Sequence, residues 1–178
     1  MSRSAVAVGG PPGSGKSTAG RLVAETLHLE FRSAGEAFRA EAQRRGLDLA
    51  AFGRYAETHP EVDLELDRRM QRLARPGVLL EGRIQGPLCR RAGVPVEVVV
   101  VTADPKERAR RVAARDGLSV EAAASAIALR EESERSRYLR YYGIDLASEP
   151  ADLVVDTTSQ PAVDVARTIV EFLNGRWA

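Results

Sequence analysis

A glycine-rich loop, placed between a short apolar segment and a helical pattern, constrains this chain more than any other feature of its sequence. The segment Ala5–Gly9 is rich in valine, which is typical of a strand buried on both faces of a sheet. Gly10 and Gly15 follow it, separated by four residues, and the pair Lys16–Ser17 comes next, where the helical pattern opens. This spacing at a strand-to-helix junction predicts a loop that binds the phosphate groups of a nucleoside triphosphate.

The residue types of this loop suit phosphate binding. Glycines adopt backbone conformations that are closed to other residues, so successive N–H groups can point towards phosphate oxygens near the positive end of the helix. We expect Lys16 to reach the outer phosphates and the Ser17 hydroxyl to bind Mg²⁺. Arginine supplies 24 of the 26 basic residues, so a lysine here indicates a need for a compact ammonium group. The predicted nucleotide-binding residues are Gly10, Pro11, Pro12, Gly13, Ser14, Gly15, Lys16, Ser17 and Thr18.

The composition is that of one soluble globular domain. The 178 residues are 44% apolar and 29% charged, and the net charge of +1 gives no general attraction to nucleic acid or to an anionic membrane. The longest apolar runs, such as Val98–Val101, are far too short to cross a bilayer, and Gly9–Gly10 interrupts any apolar region of a signal peptide. Cys89, the single cysteine, excludes an internal disulfide. We therefore expect one domain over residues 1–178, a cytoplasmic monomer with neither nucleic-acid nor membrane partners.

Short apolar segments alternate with helical patterns along the rest of the chain. Further candidate strands are Val78–Leu80, Val96–Thr102 and Leu153–Val155. Strands that alternate with helices require parallel crossovers, so we predict an α/β fold with helices on both faces of a sheet. Residues 31–76 are rich in Ala, Arg and Glu and hold no convincing strand after the first few positions, which indicates a helical insertion between two strands.

Local sequence signals predict the bounds of two later helices. Asp104 can cap one helix and Glu107 can complete its capping box, while Gly117 would end it. The last helix should run from near Pro161 to about Leu173.

Two charged clusters follow candidate strands. The first few positions of residues 31–76 are expected to form the second strand of the chain. Just past it, Ser33 and Gly35 stand at a helix entrance and Arg39 follows one turn later, so N–H groups and a guanidinium could hold a second phosphate. The alternative is a capped surface helix with a solvated Arg39. Glu81 and Arg83 directly follow another strand, and ligands gather at the carboxyl ends of parallel strands. Glu81 should therefore face Mg²⁺ or its waters, and Arg83 the phosphate acceptor.

A third cluster lies on the long helix near residue 134. Arg130, Glu134 and Arg137 share one helix face, because they are four and seven residues apart. One interpretation is a mobile lid whose arginines neutralise charge on a transferring phosphoryl group. The other is a solvated ladder of ion pairs, which contributes only a few tenths of a kcal/mol per pair.

The loop by itself does not specify the reaction. A GTPase would add an Asp-x-x-Gly segment and an Asn-Lys-x-Asp base reader, but the only asparagine is Asn174 and no aspartate precedes a glycine by three positions. Motor and remodelling ATPases need a longer chain and an assembly surface. A small phosphotransferase fits best. The alternatives are an adenylate or small-metabolite kinase, and a nucleotide-binding regulator that hydrolyses ATP without an acceptor.

The sequence resembles the nucleoside monophosphate kinases, and among them the short archaeal-type cytidylate kinases. The likeness covers almost the whole chain and rests on the glycine-rich loop together with further motifs in a fixed order. Those motifs are Gly35–Arg39, Phe52–Asp63, Leu66–Arg69, Glu81–Arg83, Arg130–Tyr138 and Tyr142–Asp145.

The resemblance implies phosphoryl transfer from ATP, with Mg²⁺, to CMP or dCMP. It also implies a three-layer α/β/α fold with five parallel strands, an acceptor-binding helical region near 34–75 and a short lid near 130–143. Matched position by position, the phosphate-binding arginines would be Arg39, Arg83, Arg130 and Arg137, and Glu134 would lie near the acceptor sugar. Of these, Arg83, Arg130 and Arg137 join Lys16 as predicted catalytic residues.

Two positions depart from the usual pattern of bacterial relatives. Those relatives carry serine where this chain has Ala34, and aspartate where it has Glu81. Ser33 could compensate for the first change. The second change keeps the negative charge but moves the carboxylate by one methylene. Glu81 and Ser17 are therefore the predicted metal-binding pair.

A pair of aspartates in the helical insertion is the candidate for reading the base. Asp63 and Asp67 lie one helical turn apart, where like charges destabilise a helix slightly, so something should compensate. Cytosine offers one amine donor and two acceptors, which a carboxylate and a nearby arginine such as Arg68 would match. The alternative is that the aspartates pair with arginines, such as Arg69 or others across the fold. The predicted acceptor-binding residues are thus Ser33, Gly35, Arg39, Asp63, Asp67, Arg68, Arg83, Glu134 and Arg137.

Overall fold

The computed structural model describes residues 4–178, which contain one five-stranded sheet. All strand pairings are parallel, and the order across the sheet is β2-β3-β1-β4-β5. The strands are β1 Ala5–Gly9, β2 Glu30–Ser33, β3 Val78–Glu81, β4 Val96–Thr102 and β5 Leu153–Asp156. The predicted α/β fold with a parallel sheet is therefore confirmed.

Eight helices occur between residues 4 and 178, and three of them form the predicted insertion between β2 and β3. No helix in this part of the chain is long and apolar enough to cross a membrane. The helices are α1 Lys16–Thr26, α2 Ala34–Arg44, α3 Leu49–Thr58, α4 Pro60–Leu73, α5 Gln85–Arg91, α6 Pro105–Asp116, α7 Val120–Tyr142 and α8 Ala162–Trp177.

Helices cover both faces of the sheet, which gives three layers. Successive side chains of a strand point to opposite faces, so the alternating residues of β1 and β3 separate into two cores. On one face Val6, Val8 and Leu79 pack with buried residues of α1 and α8. On the other face Val78 and Leu80 pack with buried residues of α4 and α5. A strand apolar on both faces therefore requires this arrangement.

The strand register places several candidate residues along the carboxyl edge of the sheet. Val8 of β1 pairs with Glu81 of β3, and the Gly82 N–H donates to the Val8 carbonyl oxygen at 3.1 Å. Thr102 at the end of β4 pairs with Asp156 at the end of β5. The phosphate loop leaves β1, which has β3 on one side and β4, with β5 beyond it, on the other side. Side chains that follow β3 and β5 can therefore contact the loop from either side.

Two local expectations are wrong. Asp104 caps α6 by accepting from the Lys106 N–H at 2.8 Å, but Glu107 does not complete a capping box. Its carboxylate accepts instead from Arg110 and Arg111, and the Asp104 N–H donates to a threonine hydroxyl after β5. The last helix also extends beyond Leu173 to Trp177.

We expect Gly10→Ala to lower the free energy of unfolding by about 3 kcal/mol or more. Gly10 has φ +148°, and a Cβ there would lie 2.2 Å from the carbonyl oxygen of Val101. Gly53 is a matched control, because it lies inside α3 and a Cβ there meets nothing within 4 Å. Gly53→Ala should raise the free energy by up to about 1 kcal/mol. Urea unfolding measures both, and a Gly10→Ala loss below about 1 kcal/mol would contradict the geometry.

Candidate active site

The loop between β1 and α1 has the backbone of a phosphate-binding loop. Gly10, Gly13 and Gly15 all have positive φ angles, of 148°, 79° and 88°. Gly15 is the N-cap of α1, and no side chain accepts a hydrogen bond there. The N–H groups of the first helical turn have no intrahelical partner, so an anion can accept from them. Ser17 is exposed in that turn.

Lys16 reaches from the start of α1 into a buried charged cluster. Its side chain is only 12% exposed, and its Nζ lies 3.4 Å from the Pro11 carbonyl oxygen and 4.0 Å from Glu81 Oε1. Burial lowers the pKa of Lys16 to about 8, although the Glu81 carboxylate opposes the shift. Arg130 and Arg83 lower this pKa further, since both cations lie near enough to repel the ammonium.

Ser33 links the end of β2 to Glu81. Its hydroxyl accepts from the Glu36 N–H at 3.1 Å, which caps α2, and it donates to Glu81 Oε2. Glu81 is 2% exposed. The two contacts hold the carboxylate beside Lys16 and connect it to the helix that carries Arg39.

Glu134 brings two of the predicted arginines together. Its Oε1 accepts from Arg130 Nε at 2.7 Å, and its Oε2 lies 2.9 Å from Arg83 Nε. Burial raises the pKa of Glu134, but the two guanidinium groups outweigh it and hold this pKa below its usual range. Glu134 is therefore buried between Arg83 and Arg130, although the Arg130 side chain is itself 34% exposed. The solvated-ladder alternative does not predict a buried Glu134 that contacts Arg83 as well.

Arg137 forms a buried ion pair with Asp63, which joins the long helix α7 to α4. Arg137 Nη1 lies 2.6 and 2.5 Å from the two carboxylate oxygens, and both residues are at most 5% exposed. Burial opposes the charge on Arg137, but the Asp63 carboxylate outweighs it and raises the pKa of the guanidinium. Arg137 thus supplies the positive charge that compensates for Asp63 lying one helical turn from Asp67.

Asp67 has neutral partners instead of an arginine. Gln85 Nε2 donates to one of its oxygens at 3.0 Å and the Tyr142 hydroxyl to the other at 2.7 Å. Burial raises the pKa of Asp67 to about 6, even though both hydrogen bonds favour the carboxylate. Gln85 is 1% exposed, and its Oε1 has no hydrogen-bond partner in the described part of the chain. Arg68 is exposed, whereas Asp63 and Asp67 are buried.

Arg39 differs from the residues of the buried cluster in its exposure to solvent. It is exposed on α2, and a Cβ on Gly35 would lie 3.6 Å from its Nη1. The guanidinium therefore extends along the entrance of α2, next to the segment that Ser33 caps. Its role in binding a second phosphate stays a prediction.

A cavity of about 210 Å³ lies on the outer side of the phosphate loop. Its lining includes Gly15 and Thr18 from the loop side, together with Arg111, Thr157 and Gln160. Arg111 Nη1 donates to Thr157 Oγ1 at 2.8 Å, and Thr157 Oγ1 donates to the Ser14 carbonyl oxygen at 2.7 Å.

Sequence reasoning missed Arg111, Thr157, Gln160 and Gln85. The rule that ligands gather at the carboxyl ends of parallel strands pointed to Glu81 after β3. The same rule, applied to β5, would have selected Thr157 and its neighbours. No comparable signal marks Arg111 or Gln85, because each depends on a tertiary contact with a residue 46 or 18 positions away.

The fold and the loop together define a P-loop kinase. A protein-family model described as an AAA domain matches residues 9–130. A shikimate kinase from Acinetobacter baumannii superposes with a TM-score of 0.62 at 20% identity, over 98% of this chain and 94% of that one. A gluconokinase from Sinorhizobium meliloti gives 0.62 at 16% identity, over 98% and 93%. At these identities the two structures show a common fold.

Closer relatives identify the family. A cytidylate kinase from Pyrobaculum arsenaticum is 42% identical, over 94% of this chain and 91% of that one. Another from Aeropyrum pernix is 42% identical over 92% and 95%, and one from Methanocorpusculum labreanum is 39% identical over 85% and 86%. The chain belongs to the cytidylate kinase family.

Proposed function

We propose that this protein transfers the γ-phosphoryl group of ATP to CMP or dCMP, forming ADP and CDP or dCDP. The observation that carries the proposal is a charged cluster at the mouth of the phosphate loop, where Lys16, Arg83 and the partly exposed Arg130 surround the buried Glu81 and Glu134. Three cations against two carboxylates leave an excess of positive charge, which two phosphorylated ligands would neutralise. The names of the relatives supply the identity of the acceptor base.

The chain's residues act by positioning and by neutralising charge, with no covalent intermediate. An oxygen of the acceptor phosphate attacks the γ-phosphorus as the bond from that phosphorus to the ADP oxygen breaks. Lys16 and the loop N–H groups hold the donor phosphates, while Arg83, Arg130 and Arg137 stabilise charge on the transferring group. Because Arg137 is paired with Asp63 and Arg130 with Glu134, binding of phosphate requires these guanidinium groups to exchange or share partners.

Ser17 and Glu81 would hold Mg²⁺. A hydroxyl and a carboxylate are hard oxygen donors of the kind that Mg²⁺ prefers, and this ion commonly uses only one or two protein ligands besides water and phosphate. Ser17 is exposed at the start of α1, and Glu81 lies at the end of the neighbouring strand β3. When bound, the ion would neutralise part of the charge on the triphosphate.

The cavity beside Gly15 would take the base of the donor. Arg111 contributes a planar guanidinium, which stacks favourably on aromatic rings, and Gln160 contributes an amide that can pair with a base edge. In the resulting arrangement the triphosphate runs from this cavity along the loop towards Lys16. We also expect a cytoplasmic monomer that acts on free nucleotides and has neither nucleic-acid nor membrane partners.

Asp67 and Gln85 would read the cytosine. The exocyclic amine of cytosine donates two hydrogen bonds, and Gln85 Oε1 is a buried acceptor without a partner beside the Asp67 carboxylate. Uracil has an oxygen in place of this amine, so it would leave the acceptors unpaired, which is costly in a buried site. Arg68 is exposed, which favours the buried pair over Arg68 as the base-reading group.

The Asp67→Asn variant should lose selectivity and also a pH dependence. We expect kcat/KM for CMP to fall about tenfold or more and kcat/KM for UMP to stay within threefold, because the strong acceptor for the amine is lost. Asp67 should contribute a decrease in the free energy of unfolding as pH rises from about 4 to 6, because its carboxyl keeps its proton to higher pH in the native protein than in the unfolded chain. Asp67→Asn should lack this contribution. Unchanged selectivity would exclude Asp67 as a base reader.

Arg39→Ala should raise KM for CMP about tenfold while leaving KM for ATP within twofold of the wild type. Arg39 lies on α2, in the helical insertion that is expected to bind the acceptor, so its loss should affect the acceptor alone. Arg44→Ala is the matched control, since Arg44 is an exposed arginine at the other end of the same helix. Equal KM changes for both substrates would contradict the assignment.

The acceptor is tested by initial rates with ATP, Mg²⁺ and each nucleoside monophosphate in turn. We expect CMP and dCMP to have the highest kcat/KM. A preference for AMP would identify an adenylate kinase, and turnover of an unphosphorylated metabolite alone would identify a small-metabolite kinase. Release of phosphate from ATP with no phosphorylated acceptor would identify a hydrolysing regulator.

A further inference from the structure

Two backbone carbonyl groups of the phosphate loop are held by side chains from outside the loop. Thr157 Oγ1 donates to the Ser14 carbonyl oxygen at 2.7 Å, and Thr157 is 4% exposed. Arg108 Nη1 donates to the Pro12 carbonyl oxygen at 3.3 Å. Thr157 follows β5 and Arg108 lies on α6, so the two contacts reach the loop from segments 143 and 96 residues away. The loop's conformation therefore depends on these outside contacts as well as on its glycines.

The peptide bond relates these carbonyl groups to the N–H groups that bind phosphate. A trans peptide is planar, and its C=O and N–H point in opposite directions. The Ser14 carbonyl shares a peptide with the Gly15 N–H, and the Pro12 carbonyl shares one with the Gly13 N–H. A donor that holds a carbonyl on the outer side of the loop thereby directs the next N–H to the inner side.

Glycine peptides need such a constraint more than others do. Gly13 and Gly15 have φ angles of 79° and 88°, and a glycine passes easily between conformations because it has no side chain. Without an outside contact the Ser14–Gly15 peptide could rotate, and its N–H would no longer point at a phosphate. The freedom that permits the loop conformation also makes the loop easy to disorder.

The Thr157 hydroxyl is itself held in one orientation. Arg111 Nη1 donates to Thr157 Oγ1 at 2.8 Å, and Arg111 Nη2 donates to the Thr157 carbonyl oxygen at 2.6 Å. Glu107 accepts from Arg111 Nε at 2.8 Å and so fixes the guanidinium. A hydroxyl has one proton, and with Arg111 donating to the oxygen, that proton is directed to the Ser14 carbonyl.

We propose that Thr157 is a positioning residue for the donor triphosphate: its hydroxyl, oriented by Arg111, holds the Ser14 carbonyl outward and so directs the Gly15 N–H at phosphate. The proposal rests on the proposed function only in taking a nucleoside triphosphate as the donor. It assigns Thr157 a role in binding phosphate, separate from any contact between Thr157 and a base in the neighbouring cavity.

The test measures binding of ATP and of inorganic tripolyphosphate by calorimetry, without any acceptor. Thr157→Val keeps the shape and removes the hydroxyl, and Thr157→Ser keeps the hydroxyl. We expect Thr157→Val to bind both ligands about tenfold more weakly than the wild type does, and the affinities of Thr157→Ser to stay within twofold of the wild type. Thr168→Val is the control, because the Thr168 hydroxyl is exposed and bonds only within α8.

Kinetics separate positioning from a general loss of structure. In Thr157→Val, KM for ATP should rise about tenfold while KM for CMP stays within twofold, whereas partial unfolding would lower kcat without this split. Arg111→Met leaves Thr157 in place but removes the group that orients its hydroxyl. This variant should therefore also bind tripolyphosphate more weakly than the wild type does. It tests the proposal even if Thr157→Val does not fold.

Several results would overturn the proposal. Tripolyphosphate binding at wild-type strength in Thr157→Val or Arg111→Met would do so, as would a Thr157→Ser variant no better than Thr157→Val. If Thr157→Val bound ATP more weakly but tripolyphosphate as strongly as the wild type does, Thr157 would act on the base. An acceptor other than CMP would refute the proposed function but leave these binding measurements valid, so the two failures are distinguishable.

Discussion

Replacing Lys16 by methionine should lower kcat about 10²- to 10³-fold without destabilising the protein. Lys16 is the cation closest to where the β- and γ-phosphates would lie, and a methionine keeps most of its volume but carries no charge. The pKa of Lys16 is lowered to about 8 mainly by burial, even with Glu81 beside it. Its charge is thus unfavourable for folding, so its loss should leave the free energy of unfolding equal or higher.

The pH dependence gives this prediction a second readout. The unfolded chain holds the lysine proton up to about pH 10.5, while the native protein releases it near pH 8. Between these values the lysine holds its proton in the unfolded state and has released it in the native state, so Lys16 contributes a gain in the free energy of unfolding as pH rises from about 8 to 10.5. Lys16→Met should lack this gain.

Lys106 provides the matched control, because it is the only other lysine of the chain and also lies in the first turn of a helix. It is exposed, and Lys106→Met should leave kcat unchanged. A Lys16→Met enzyme with more than a tenth of the wild-type kcat would contradict the role of Lys16.

Breaking the buried pair between Arg137 and Asp63 should have the largest effect on stability. Arg137→Met leaves the Asp63 carboxylate buried without its partner, and such losses typically cost about 3 to 5 kcal/mol. Asp63→Asn leaves the guanidinium without its counter-charge and should destabilise in the same direction. The double variant Asp63→Asn/Arg137→Met should recover most of the stability, because no unpaired charge remains buried.

Activity should not follow stability in this series. If Arg137 stabilises charge on the transferring phosphoryl group, the double variant stays at least about 100-fold below the wild-type kcat although it folds. The exposed pair Arg167–Asp164, whose removal should cost at most about 0.5 kcal/mol, is the control. A double variant that is stable and fully active would show that the pair serves only to hold α7 against α4. Denaturant unfolding and steady-state kinetics on the same samples make the comparison.

The sheet and the phosphate loop were predictable from sequence because local patterns specify both. Valine-rich segments that are apolar on both faces fit only a sheet covered on two sides, and the loop's glycines are placed where φ must be positive. The like charges of Asp63 and Asp67 also predicted correctly that compensation was needed. They did not identify the partner, since Arg137 lies 74 residues away.

What the sequence could not supply were contacts that depend on the assembled fold. Glu107 had the right spacing for a capping box, but two arginines on its own helix compete for its carboxylate, and charged partners prevail over a backbone N–H. Arg111 has no local signature, because an arginine on a helix is ordinary in isolation, and Thr157 is marked only by its place directly after β5. Their importance arises only where they meet the carbonyl group of Ser14.

The ratio of products tests the central claim most directly. With the wild-type protein, ATP, Mg²⁺ and CMP, chromatography should show CDP and ADP formed in equal amounts, with no inorganic phosphate released. ADP that accumulates with phosphate and without CDP would contradict the account, because the buried cations around Lys16 would then serve hydrolysis and not transfer to a second phosphorylated ligand.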